Sequence, residues 1–145
     1  ADSTLIASLV ERNVAIKMAV VTEDELEKAD RKLLNFGHTI GHAIEKLHQL
    51  PHGYAVSIGM VAACNLSEKI NGLHFSDAQR VVKLLARYHL PVDLETEYNK
   101  VFDVLKLDKK READVMHFVL LHKIGHAETK PVRMDYLREN LQNIL

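Results

Sequence analysis

The run LLNFGHTIGHAIE, which ends at Glu45, sets Gly37 and Gly41 four residues apart in a stretch whose apolar spacing reads as helix. A glycine inside a helix costs about 1 kcal/mol relative to alanine, so two in one turn constrain the fold strongly: another backbone, or a ligand, has to come very close. His38 and His42 repeat the spacing one position along, and His52 follows in PHGYAVSIGM, which gives three histidines within fifteen residues. Side chains four apart leave one helix face about a turn apart, near enough to share a metal ion or an anionic ligand. Local propensity is given up at this cluster, and function is to be sought there.

At 145 residues the chain is expected to form one domain with a substantial core. The net charge of -1, from interspersed acids and bases, supplies no global field and argues against nucleic acid or an anionic membrane surface as partner. The longest apolar stretch, Tyr54 to Leu66, is interrupted by Ser57, Gly59 and Asn65 and falls short of the roughly 20 residues that span a bilayer, so it reads as a buried helix. Cys64 is the only cysteine, which excludes an internal disulfide and fits a cytoplasmic location. The sequence opens at Ala1, with Asp2, Ser3 or Thr4 as candidate helix caps, and is expected to be a piece of something longer.

Apolar residues from Leu5 to Met18 predict a helix over Thr4 to Val21, after which the acidic TEDELE segment opens a turn or a new helix. Two further helices carry the cluster, one from about Gly37 to Leu47 and one from His52 or Gly53 to about Ile70, separated by Pro51 and stopped by Asn71-Gly72. Ser76 or Asp77 is expected to cap a helix reaching Tyr88, Pro91 breaks it, and Leu94 to Leu105 reads as a shorter amphipathic helix. VMHFVLL, residues 115 to 121, is β-prone and HKIGHAETKPV can return as the second strand of a hairpin, before a final helix over Arg133 to Leu145. The expected fold class is therefore mainly α, a helical domain with at most a small two-stranded ribbon near its C-terminal end.

Imidazole is the commonest metal ligand near neutral pH, and catalytic zinc takes three protein ligands while keeping one position open. His38 and His52 are candidate ligands on successive helices, and His42 is either a third ligand or an acid-base group. HxxxH alone discriminates weakly, and a histidine beside an apolar surface is more often structural. Lys17, Arg31 and Asn35 lie upstream, the last two at a one-turn spacing, and Lys109, Lys110 and Arg111 follow further on. Arginine forks and lysine point charges of this kind suit a small acid phosphate, although the basic triplet also reads as solvated surface charge.

At these residues the chain resembles 3-dehydroquinate synthase, and within it the C-terminal helical domain. The resemblance rests on IKMAVVTEDELEKADRKLLNFGHTIGHAIE, HGYAVSIGM and LDKKREADVMHFVLLHKIG, in the family's order and at compatible spacing. It implies an NAD- and metal-dependent lyase of the shikimate pathway, and so of chorismate and aromatic amino acid biosynthesis. That enzyme converts 3-deoxy-arabino-heptulosonate 7-phosphate into 3-dehydroquinate and phosphate by oxidation, elimination, reduction and ring closure. By resemblance His38 and His52 are two of three ligands to zinc or cobalt, and Lys17 and Arg31 hold the substrate carboxylate. Asn35 and His42 contact the phosphate, together with a lysine that is Lys109 in preference to Lys110.

The family's third ligand, a glutamate, and its NAD-binding domain lie upstream of the residues that match here. The resemblance therefore implies an excised domain that folds alone, is inactive alone and holds zinc weakly, whereas the intact enzyme is a homodimer. A second departure is Tyr54, where the family commonly carries glutamate after the His-Gly pair, so the carboxylate that would tune the neighbouring ligand is missing at that position. Sister cyclases acting on sedoheptulose 7-phosphate or glucose 6-phosphate share the motifs, but their substrates lack the carboxylate that Lys17 and Arg31 would bind. A non-catalytic helical module with structural histidines is the reading from a different class.

Overall fold

The computed structural model describes residues 3–23, 30–107 and 114–145, the side chains of 23, 30 and 31 excepted. The chain divides into two units, Ala1–Leu34 and Asn35–Leu145. In the first, the apolar periodicity gives helix α1, Ser3–Glu23, about as the sequence predicts. The continuation of the acidic segment beyond it, Asp24 to Glu27, lies outside the described residues. Asp30–Asn35 is a 3-10 helix.

The second unit runs α2 (His38–His48), α3 (His52–Asn71), α4 (Phe75–Arg87), α5 (Tyr98–Lys106), β1 (Val115–Lys123), β2 (His126–Arg133) and α6 (Met134–Asn140), and ends in a 3-10 turn over Leu141–Asn143. Mainly α with one small ribbon is thus the architecture. Among the described residues no helix is long and apolar enough to cross a membrane.

α3 is the spine, with α2, α4 and β1 packed on it. Its buried positions are mostly small: Ala55, Ser57, Gly59, Ala62, Ala63 and Cys64. Around them the core closes through Ile40 and Ile44 of α2, Val101 and Leu105 of α5, Met116, Phe118 and Leu120 of β1, and Leu137, Leu141 and Ile144 at the end of the chain. Burying side chains such as Ile40 and Ile44 contributes about 1.5–3 kcal/mol each, which exceeds the loss from the helical Gly41 beside them.

Gly41 and Gly59 occupy helix interiors, but Gly37 does not. It is the N-cap of α2, at a left-handed φ of +79° that glycine adopts without strain. A Cβ on Gly41 would stand 3.1 Å from the Ala55 carbonyl oxygen, one on Gly37 2.7 Å from Met60 N, and one on Gly59 only 2.0 Å from the Gly37 carbonyl oxygen. Gly41 facing Ala55 and Val56 while Gly37 faces Met60 means that α2 and α3 run antiparallel with their backbones touching. Gln49, at φ +53°, and Pro51 form the short connection between them.

β1 and β2 pair antiparallel from Val115↔Arg133 to Leu121↔Ala127, with a bulge before Lys123 and Gly125 at φ +88° in the turn. Thr39 Oγ1 donates to the His117 carbonyl at 3.2 Å, fixing α2 to the ribbon. The fully buried Ser67 hydroxyl donates to the Ala63 carbonyl and accepts the Leu121 N–H, fixing α3 to it as well.

Three boundaries differ from the sequence reading. α4 is capped by His74, whose Nδ1 accepts the Ser76 N–H, rather than by Ser76 or Asp77. α5 starts at Tyr98 rather than Leu94 because the preceding segment is tied down elsewhere: Thr96 Oγ1 bonds His48 Nε2 at 2.8 Å, and the Pro91 carbonyl accepts the Ser57 hydroxyl at 2.7 Å. The last helix tightens to 3-10 after Asn140, which aligns Leu141 with Ile144 three residues later and lets both enter the core.

The backbone contact makes a sharp stability prediction. Gly59→Ala should lower the unfolding free energy by about 3 kcal/mol or more, since the methyl meets a carbonyl that cannot swing away. Gly53→Ala, with nothing within 4 Å of the added carbon, should raise it by about 0.5–1 kcal/mol. Urea unfolding of both variants followed by circular dichroism measures the contrast.

Candidate metal centre

The glycine contact brings three imidazoles together. His38 is the first residue of α2, His42 lies one turn further along, and His52 is the first residue of α3. Ring centroids are 5.4 Å apart for His38–His42, 5.5 Å for His38–His52 and 5.8 Å for His42–His52. One ring nitrogen from each lies within 4.8 Å of the other two, and among the described residues this is the group of His, Cys, Asp and Glu that can close on a metal ion. Two nitrogens bound to one zinc at about 2.0–2.1 Å stand no more than about 4.2 Å apart, so modest side-chain rotation closes the group.

Hydrogen bonds define which nitrogens face outward. His38 Nδ1 lies 3.2 Å from the Phe36 carbonyl oxygen. A carbonyl only accepts, so Nδ1 is the donor, and in the neutral imidazole Nε2 is then the nitrogen with the free lone pair. His52 Nδ1 lies 3.0 Å from Glu45 Oε2, and a carboxylate, which only accepts, selects the same tautomer of the neutral ring. Both imidazoles therefore offer Nε2, the form a divalent cation needs.

A pocket of about 440 Å³ opens beside the cluster, lined by Thr39, His42, Glu45 and Lys46 of α2 and by Val104, Leu105 and Leu107 at the end of α5. Its volume suits a small polar metabolite. Lys46 gives it a cation and Thr39 a hydroxyl. Cys64 takes no part: it is fully buried in α3, and burial first, then the Glu68 charge, push its thiol up to about 12. It is neutral, poorly nucleophilic and a core residue.

Of the residues singled out in the sequence, His38, His42 and His52 are brought together. Lys17 is exposed on α1 in the first unit, and Asn35 is half-buried where the second unit begins. Lys109 and Lys110 lie outside the described residues, as does the side chain of Arg31. Glu45, Lys46 and Gly59 are not singled out by the sequence reading. Their signals are present there: Lys46 is one turn beyond His42, Glu45 three residues beyond it, and Gly59 continues the small-residue pattern of Gly37 and Gly41.

With this geometry in view, the comparison with known proteins is decisive at the level of family. The family model described as 3-dehydroquinate synthase C-terminal matches residues 1–111. The chain belongs to that family. A 3-dehydroquinate synthase of Methylacidiphilum infernorum is 42% identical over 142 residues, 94% of this chain and 39% of the relative. The Pyrococcus abyssi 3-dehydroquinate synthase is 38% identical over 138 residues, 94% of this chain and 41% of its own length. The chain thus spans about two fifths of these relatives.

Among solved structures, a 2-deoxy-scyllo-inosose synthase complexed with carbaglucose-6-phosphate, NAD+ and Co2+ superposes with a TM-score of 0.79 at 28% identity, over 91% of this chain and 40% of the neighbour. The 2-epi-5-epi-valiolone synthase of Streptomyces hygroscopicus, with NAD+ and Zn2+ bound, shares the fold at a TM-score of 0.80 and 23% identity, over 99% of this chain and 41% of its own.

The position of Cys64 has a direct chemical consequence. At pH 8 a thiol reagent should leave the native protein unlabelled over a time in which the denatured chain is fully modified, as mass spectrometry reads out. Fast labelling of the folded protein would mean that the α3 core opens readily.

Proposed function

We propose that this chain is the metal- and substrate-binding C-terminal domain of a 3-dehydroquinate synthase, acting on 3-deoxy-arabino-heptulosonate 7-phosphate. The observation that carries the proposal is the convergence of His38, His42 and His52 beside a pocket where Thr39, Glu45 and Lys46 face apolar side chains of α5, in a chain of this family. Nitrogen donors suit zinc or cobalt, and the paired acceptors on the other ring nitrogens fit ligand histidines. His38 and His52 are assigned as ligands, with the remaining carboxylate ligand and the NAD site outside the residues of this chain. The bound metal would polarise a substrate hydroxyl as a Lewis acid.

The chain's own residues then bind and orient. Lys17 and Arg31 are assigned to the substrate carboxylate, and Asn35, His42 and Lys109 to its phosphate, on the family's motif pattern. Holding the phosphate lets the leaving group itself take up a proton while the protein supplies position and charge. His42 needs only to bind and tune. The same reading makes the enzyme cytoplasmic, with a single buried cysteine, and homodimeric when intact.

A sister cyclase is the second reading because the solved neighbour at 28% identity is a 2-deoxy-scyllo-inosose synthase. The curated relatives at 35–42% identity favour the dehydroquinate reaction.

Phosphate release by the gene product carrying this sequence, assayed with NAD+ and zinc or cobalt, separates the readings. The expected result is turnover of the deoxyheptulosonate phosphate, reduced about a hundredfold or more in His38→Ala and in His52→Ala. Turnover of sedoheptulose 7-phosphate or glucose 6-phosphate alone would reassign the chain to a sister cyclase. Full activity in both histidine variants would return the cluster to a structural role.

A further inference from the structure

His52 is more exposed than a preformed ligand ought to be. Its side chain is 54% accessible and it stands on the first residue of a helix, where the chain is free to vary most. Something has to hold its ring against rotation if Nε2 is to meet an ion that His38 also binds. The first turn of α3 does not supply a carboxylate for this: Pro51, His52, Gly53 and Tyr54 contain none, and Tyr54 is itself exposed. The nearest acceptor comes instead from the neighbouring helix. Glu45, on the last turns of α2 and one turn beyond His42, reaches across the helix pair to place Oε2 3.0 Å from His52 Nδ1.

We infer that Glu45 is the positioning residue of this centre, taking the Nδ1 proton of His52 in a hydrogen bond so that Nε2 is presented to the metal. The inference rests on the metal-binding reading above. A carboxylate behind a ligand imidazole locks ring and tautomer, and its charge raises the basicity of the opposite nitrogen. His38 receives the weaker form of the same treatment from a neutral acceptor, the Phe36 carbonyl at 3.2 Å. The two ligands thus differ: one is anchored by the backbone of its own turn, the other by a side chain from a different helix. Glu45 therefore ties α2 to the ligand borne by α3, and it does so without touching the ion.

Cobalt(II) titration of the whole gene product carrying this sequence, followed by its ligand-field absorption, tests this with wild type, Glu45→Gln, Glu45→Ala and His52→Ala side by side. Glutamine keeps an acceptor and loses the charge, whereas alanine loses both, so affinity should fall in the order wild type, Glu45→Gln, Glu45→Ala. The alanine variant should be weakened about tenfold to a hundredfold, with its spectrum altered and its melting temperature little changed. Nitrogen-15 spectra of the imidazoles should show the Nδ1–H form of His52 in the metal-free wild type and a mixture of tautomers in Glu45→Ala. If His52→Ala abolishes binding while Glu45→Ala binds cobalt as the wild type does, the positioning role is overturned and the metal reading stands. If wild type binds no cobalt, or His52→Ala binds as well as wild type, both fall together.

Discussion

The contact on which the second unit depends is that of Gly59 with the Gly37 carbonyl. A methyl group at Gly59 would lie 2.0 Å from that oxygen, so nothing larger than hydrogen fits where the two helices cross. Once the backbones meet there, α2 and α3 can approach as an antiparallel pair joined by a connection of only three residues, Gln49, Leu50 and Pro51. That pairing sets the side chains of His38 and His42 next to His52. Widening the helix separation by the thickness of one methyl would draw the imidazoles apart by a comparable distance. The cluster is thus a consequence of packing that takes place on its buried side.

The packing is stable because of what surrounds it. α3 buries a face of small residues along much of its length, and such a face gains little from its own side chains. Its neighbours supply the apolar area: Ile40 and Ile44 from α2, Leu120 from β1 and Ile144 from the chain end are fully or almost fully buried. A few such residues outweigh the glycine propensity losses several times over. The same small face brings the ribbon close enough for the Ser67 hydroxyl to bridge α3 and β1, so that this neighbour is attached by specific polar bonds as well as by area.

Much of this is legible in the sequence because the punctuation is strong. Pro51 and Asn71-Gly72 bracket α3, and the β-branched and aromatic run before Gly125 marks the first strand of the hairpin. Gly37 is not legible in the same way, since a glycine in a left-handed cap and one inside a helix look alike until the turn is seen. The His74 cap is hidden for a related reason: imidazole nitrogen is an uncommon cap acceptor, and Ser76 stands two residues away as the ordinary choice. α5 reads four residues too early because apolar spacing continues through Leu94, and tertiary hydrogen bonds from His48 and Ser57 override it. Of the candidate site, the histidines are legible by spacing. Glu45 is not, because a glutamate late in an amphipathic helix is by default a solvated one, and only the crossing of α3 gives it a partner. The roles of Lys17, Arg31, Asn35 and Lys109 come from motif resemblance, which carries chemistry across a family without fixing a distance in this chain.

The orientation of the ligands and the close packing of the helices meet in one residue. Gly37 lies between Phe36, whose carbonyl fixes the His38 tautomer, and His38 itself. Its left-handed φ turns the chain sharply enough for the ring of residue 38 to fold back onto the carbonyl two residues before it. The same residue has to lack a side chain for Met60 to pass, and its own carbonyl is the one that Gly59 approaches. A larger residue at 37 would therefore act twice, by strain in the turn that aims His38 and by displacement of the helix that carries His52. Substitutions here cannot be partitioned into a structural part and a functional part, because the helix crossing and the aim of the imidazole are set by the same atoms.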